Sequence, residues 1–247
     1  MYSLLCAFIA SFVTYFGVSL LVDAHQAKFG IIPGVIVFTL TYILLARRFG
    51  KLVEHLVPKA MNEVKQQRVD NAVRLLETGY KHARWVFLMR KQIDGLIGQL
   101  RYMQKQFEEA RPLLEKAMGR DSVSKGMLSA YWFRKHKSDQ AFKILDNAIA
   151  SNKKDPMLYG MKAWMKVRLK DRDAARKVLT LGKERTKGNS AVTENLVRLQ
   201  NGEDLKMWQF GDHWWNFHLE KPSQRTMLKM SGQGNAVAKG ARKSMYR

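Results

Sequence analysis

Cysteine is nearly absent from this chain of 247 residues, where Cys6 stands alone. A lone thiol cannot pair within the chain, which excludes a disulfide framework and a cysteine-based metal site. A reducing cytosolic setting for the body of the protein is the simplest fit. Acidic residues are scarce as well, 21 against 43 lysines and arginines, for a formal net charge of +22. No stretch after residue 50 sustains an apolar/polar alternation, so no sheet is expected. Phosphate-binding loops of the Gly-x-x-x-x-Gly-Lys-Ser/Thr kind are missing. Ser231-Gly-Gln-Gly234 lacks the following lysine and hydroxyl and has no strand before it. His213 and His218 stand five apart, which keeps their rings off a common helical face, and no carboxylate pair accompanies them. No catalytic residue, metal ligand or cofactor is therefore expected, and the chain reads as a non-enzyme.

Charge is missing where hydrophobicity is concentrated. Residues 1–46 carry only Asp23 and Lys28, so the whole surplus belongs to 47–247. Tyr2 to Val22 is nearly all apolar and matches the roughly 20 residues a helix needs to cross a bilayer. A polar turn, Asp23 to Lys28, separates it from a second apolar run, Phe29 to Ala46, broken only by Pro33-Gly34. That pattern predicts a transmembrane helical hairpin over 1–48. The cations Arg47, Arg48, Lys51 and Lys59 would mark the cytoplasmic surface and attract anionic headgroups. The expected location is a bacterial inner membrane, crossed twice with both termini cytoplasmic. Residues 49–67 then read as a basic amphipathic linker, with Pro58 at a bend or a fresh helix start.

The remainder is organised by small residues at helical spacing. Phe107, Ala110, Leu114 and Ala117 fall on one stripe, because positions three and four apart share a helix face. Ala141, Leu145 and Ala148 repeat the pattern, as do Ala72, Leu76 and Gly79, and more weakly Ala174 and Val178. The lead alanines Ala72, Ala110, Ala141 and Ala174 are separated by 38, 31 and 33 residues. These intervals scatter around the 34 of tetratricopeptide-type hairpins. Helices are expected over 68–78, 81–102, 106–118, 124–136, 139–151, 157–169, 172–185 and 191–200.

At these residues the chain resembles the tetratricopeptide repeat family. Its best match is 91–124, with Gly98 in the first helix and Phe107, Ala110, Leu114 and Ala117 in the second. The resemblance covers roughly residues 65–200 and implies an all-α fold, a tetratricopeptide-like α-solenoid over 68–202. The layout, two apolar spans followed by such repeats, is similar to that of HemY-type inner-membrane proteins. The expected function is a membrane-anchored scaffold that recruits or organises protein partners at the cytoplasmic face of the membrane.

The final segment, 203–247, is aromatic and then basic. Trp208, Phe210, Trp214, Trp215 and Phe217 either cap the open end of the solenoid or anchor a partner. Trp85, Trp132 and Trp164 read as core residues of first helices. Beyond Pro222 the chain is expected to be loose. The basic surplus fits a membrane surface with anionic lipids or an acidic protein partner. Nucleic acid is the disfavoured alternative, since the cations are spread over many helices without a stacking or groove-reading motif. Unpaired helices at both ends of the repeat block suggest a homo-oligomer, as part of an envelope machine.

Overall fold

A computed structural model describes residues 2–21, 31–83 and 88–222. Every regular element among them is helical. The expected turn at Asp23 to Lys28, the core assignment of Trp85 and the loose tail beyond Pro222 lie outside the described residues. The α-helices are α1 (Tyr2–Leu21), α2 (Ile31–Lys65), α3 (Val69–Thr78), α4 (Met89–Met103), α5 (Phe107–Lys116), α6 (Ser122–Arg134), α7 (Ser138–Ser151), α8 (Pro156–Arg168), α9 (Arg172–Arg185) and α10 (Ser190–Gln200). Short 3-10 turns cover Gly79–His82, Met207–Phe210 and Asp212–Phe217. The chain divides into two compact units, Met1–Ser124 and Lys125–Arg247.

The N-terminal expectation needs correction. Among the described residues no helix is long and apolar enough to cross a membrane. The transmembrane hairpin over 1–48 and the two-span inner-membrane location are therefore not supported. The membrane-surface role of Arg47, Arg48, Lys51 and Lys59 derives from those spans and has no support apart from them. In α2 the apolar stretch from Ile31 to Ala46 rises about 24 Å at 1.5 Å per residue. The hydrocarbon layer is about 30 Å thick. The helix then runs without interruption into Arg47, Arg48 and Lys51, so cations follow directly on the apolar stretch. Polar residues Ser3, Ser11 and Thr14 interrupt the apolar run of α1.

Unit 1 begins with α1 packed on α2. The seam between them is made of small residues, Ser3, Ala7 and Gly34, all buried. A Cβ at Gly34 would sit 3.4 Å from the Ser11 hydroxyl. Helix α2 continues through Pro58 to Lys65, where a bend or new start was expected. Proline inside a helix costs about 3 kcal/mol through a lost hydrogen bond and a ring clash. Burial offsets it, since Ala60 two residues on packs with Ala72, Val73, Leu76, Met89 and Ile93 in one core. Helix α4 starts at Met89, later than the expected 81, because Gly79–His82 forms its own 3-10 turn. Helices α4 and α5 approach closely at Gly98, where a Cβ would meet Leu114 Cδ2 at 3.0 Å.

In unit 2, α8 pairs with α9 and α9 with α10. Ala163, Ala175, Leu179, Val192, Leu196 and Leu199 form their core. The starts of these helices are capped by short polar side chains, which accept from otherwise orphaned N–H groups. Asp155 accepts from Met157 N and precedes Pro156 at the first helical position. Asp171 accepts from Ala174 N, and Asn189 from Ala191 N and Val192 N.

The repeat is written in the backbone. Gln67, Lys105, His136 and Lys170 are non-glycine residues with φ of 60, 64, 59 and 63°. Each ends one helix and directly precedes the next. The residue after each donates back five positions: Arg68 N to Glu63 O, Gln106 N to Arg101 O, Lys137 N to Trp132 O and Asp171 N to Lys166 O, at 2.9–3.0 Å. That is the 6→1 bond of a Schellman turn. Five residues past each left-handed position stands a fully buried alanine: Ala72, Ala110, Ala141 and Ala175. The fourth differs from the Ala174 of the sequence reading, which is only half-buried. A shift of one residue rotates a side chain by about 100° around the axis, enough to exchange inner for outer face.

Candidate functional site

Ten residues before each of three left-handed positions stands a glycine: Gly95, Gly126 and Gly160. Each is on a first helix of a hairpin, and each is buried. In unit 2 the two glycines receive aromatic rings. A Cβ on Gly126 would lie 2.8 Å from Phe217 Cε1, and one on Gly160 would lie 2.5 Å from Phe210 Cζ. The absence of a side chain is what lets the C-terminal segment lie directly on α6 and α8. In unit 1, Gly95 faces Asp121 Oδ2 and the Ser124 hydroxyl, at 2.9 and 3.2 Å from where its Cβ would be.

The sequence reading grouped five aromatics, and the structure separates them. Trp214 is completely buried and Phe217 nearly so, while Phe210 and Trp215 are half-buried. Trp208 keeps 58 % of its surface exposed. Trp214 stands edge-on to Trp164 at 5.5 Å and to Phe217 at 6.0 Å, within the 4.5–7 Å range of favourable ring pairs. Phe133 adds a further edge contact to Trp164 at 6.1 Å. Trp132 is half-buried beneath the Lys137 ammonium, 5.1 Å from its ring.

Two indoles and a guanidinium converge on one carboxylate. Trp164 Nε1 donates to Glu220 Oε1 at 2.7 Å, and Trp214 Nε1 donates to Glu220 Oε2 at 2.9 Å. Arg168 Nη2 donates to Oε1 at 3.3 Å, while its guanidinium carbon lies 4.8 Å from the centre of the Trp164 ring. Buried indole N–H groups require acceptors, and Glu220 supplies one oxygen to each.

The approach to this segment is fixed by three further side chains. Asn195, fully buried, donates to Gln209 Oε1 at 2.9 Å and accepts from Lys206 N at 2.6 Å. Arg172 donates to the carbonyls of Gly202 and Glu203 at 2.9 and 3.3 Å and pairs with Asp204 at 3.5 Å. Arg198 donates to Asp204 O and pairs with Glu203. A cleft of about 440 Å³ opens beside Glu220. Trp164, Arg168, Lys170, Arg172, Asp204 and Glu220 are among the residues that line it. The cations come from α8, from Lys170 after it and from the start of α9; both carboxylates come from the C-terminal segment.

Unit 1 holds a separate polar pair. Tyr80 donates to Asp94 Oδ1 at 2.6 Å, with Asp94 nearly buried. Burial, with the Asp94 hydrogen bond and charge added to it, pushes the Tyr80 hydroxyl well above its ordinary value of 10. The pair joins the 3-10 turn to α4. Among the described residues no three His, Cys, Asp or Glu side chains come together as a metal-binding group.

The packing residues of the sequence reading lie inside the units. Gly98, Ala110, Leu114 and Ala117 are buried in unit 1 with Ala72, and Phe107 stands edge-on to Tyr102 at 4.9 Å. Ala141, Leu145 and Ala148 are buried in unit 2. Arg47, Arg48, Lys51 and Lys59 are exposed on α2. Glu220, Asn195, Arg168, Arg172 and the glycines at 126 and 160 were not singled out from sequence. Only the glycines carried a signal, since Gly95, Gly126 and Gly160 recur at intervals of 31 and 34. Compared with known protein families, with curated proteins and with solved structures, the chain finds no match in any of the three.

Proposed function

We propose that this chain is a protein-binding scaffold of the tetratricopeptide type. Its helical hairpins offer first-helix faces to an acidic, aromatic-bearing segment of a partner. The observation that carries this reading is the chain's own C-terminal segment. It lies on α6 and α8 with its rings seated over Gly126 and Gly160. Its carboxylates, Glu220 and Asp204, face Arg168 and Arg172. Such a segment is a specimen of the ligand that this face accepts. The surplus of positive charge then serves to steer an acidic partner, an effect that weakens as salt is raised. Recruitment is the mechanism, in which several weak contacts act together.

Fluorescent peptides of defined composition, titrated with the full chain, test the proposal. Peptides that combine aromatic with acidic residues should bind, with affinity falling as salt rises, while basic and uncharged peptides of equal length should not. Failure of every acidic peptide would overturn the reading. Tighter and more steeply salt-dependent binding to single- or double-stranded nucleic acid would replace it, since each neutralised phosphate contributes to the salt slope.

A further inference from the structure

We infer that Trp164, Trp214 and Arg168 form a carboxylate-binding site that accepts a carboxylate not tethered to it. Glu220 is then its resident but exchangeable occupant. The inference deepens the proposed function and rests on it in one respect, that the acidic partner would present its side chain here.

The geometry separates the seat from its occupant. Both indoles are held by packing that owes nothing to Glu220: Trp214 by Trp164 and Phe217, and Trp164 by Phe133. Glu220 itself sits on a short strap that leaves the 3-10 turn at His218, a residue with φ of 51°. Lifting the chain from His218 onward would move the carboxylate while Trp164 stays on α8 and Trp214 stays in its ring contacts just upstream. The N–H groups of Trp164 and Trp214 then point, with Arg168, at an empty position beside the cleft. Two buried neutral donors and one exposed cation suit a single monoanionic carboxylate. The two indoles are planar and held by packing, so they cost little ordering entropy when a carboxylate arrives. Lys170, which lines the same cleft, places further positive charge beside the seat for an acidic chain that continues from it.

The test removes the occupant and returns its functional group from solution. In the full-length Glu220→Ala variant, sodium propionate is titrated against sodium chloride and propionamide at matched concentration. Two readouts are followed, the melting temperature and the indole N–H resonances of Trp164 and Trp214, assigned through Trp164→Phe and Trp214→Phe. E220A should melt about 4–8 °C lower than the parent chain, a shift expected for two orphaned donors in a chain of this size. Propionate should restore much of that loss with saturation and return both resonances toward their parental positions. Chloride and propionamide should do neither, and E220A carrying Trp164→Phe should respond more weakly. Should E220A prove too unstable to purify, Glu220→Gln provides the same assay. Its amide oxygen accepts from only one indole, so propionate should displace it and move both resonances. Propionate that raises the melting temperature of parent and variant equally, or moves neither resonance, overturns the inference. The two readings fail separately: lost propionate rescue removes the seat whatever the peptides do. Absent peptide binding with intact rescue removes only the scaffold.

Discussion

Trp164 and Glu220 are 56 positions apart in sequence, and the indole N–H of one donates to the carboxylate of the other at 2.7 Å. Trp214 donates to the second oxygen of the same group at 2.9 Å. The first bond ties the last described stretch of chain to α8, and the second closes that stretch onto its own 3-10 turn. Together they make the C-terminal segment part of unit 2 rather than an appendage to it. Four expectations follow from the surrounding contacts and from unit 1.

Gly160 and Phe210 should be coupled with a change of sign. Alanine is favoured over glycine inside a helix by about 1 kcal/mol, yet a Cβ at 160 would sit 2.5 Å from the Phe210 ring. Gly160→Ala alone should therefore destabilise the chain by about 1–2 kcal/mol, as overpacking does. In a Phe210→Ala background the same change should stabilise it. A double-mutant cycle from urea unfolding measures the coupling, and additive effects would contradict the close approach.

Asn195→Ala removes the side chain that both donates to Gln209 and accepts from Lys206 N. The lost bonds and the newly unpaired backbone N–H should together cost about 2–4 kcal/mol. Limited proteolysis should also cut earlier within 203–222. A loss below about 0.5 kcal/mol would show that the segment is held by its rings alone.

The left-handed positions should discriminate sharply among substitutions. Lys170, with φ of 63°, sits at the turn between α8 and α9. A β-branched residue is strained in that conformation, whereas glycine adopts it freely. Lys170→Val should destabilise by about 1–2 kcal/mol, and Lys170→Gly should be neutral or stabilising. Thermal melts of the two variants beside the parent chain decide this, and the same ordering is expected at Lys105 and His136.

Tyr80 should give unit 1 a distinctive alkaline profile. Its hydroxyl is raised in the folded state above the ordinary value of 10, mainly by burial and then by Asp94. A group raised on folding contributes stability that is fully present below its unfolded value. That stability is lost as pH climbs above 10 toward the folded value. Unfolding free energy should thus decline above pH 10 more steeply in the parent than in Tyr80→Phe. Absorbance at 295 nm should show that Tyr80→Phe loses no phenol titrating near pH 10 relative to the parent chain. Equal slopes in the two proteins would refute the shift.

Part of this architecture was legible in the order of residues. Helical periodicity and the spacing of small residues locate α3 and α5 to α10 within a few positions, because a hairpin of helices must bring alanine or glycine to each close contact. Asp155-Pro156 marks the start of α8 for an equally local reason, a capping carboxylate followed by a ring that prefers the first helical position. Pro58 misled, since a local rule places proline at a break, while burial of Ala60 against Ala72 keeps α2 whole.

What only the tertiary structure decided depends on phase and on long-range convergence. Ala174 and Ala175 are indistinguishable as letters. Which of them faces inward follows from the turn at Lys170, and it is Ala175. Length of an apolar run is visible in one dimension, but how far the helix continues past it is not, and α2 carries its cations within the same uninterrupted helix. The seat of Glu220 is the extreme case. Trp164 and Arg168 stand four apart on one face of α8, but Trp214 shares no spacing rule with them, so only the path of the chain over Gly126 and Gly160 brings all three to a single carboxylate.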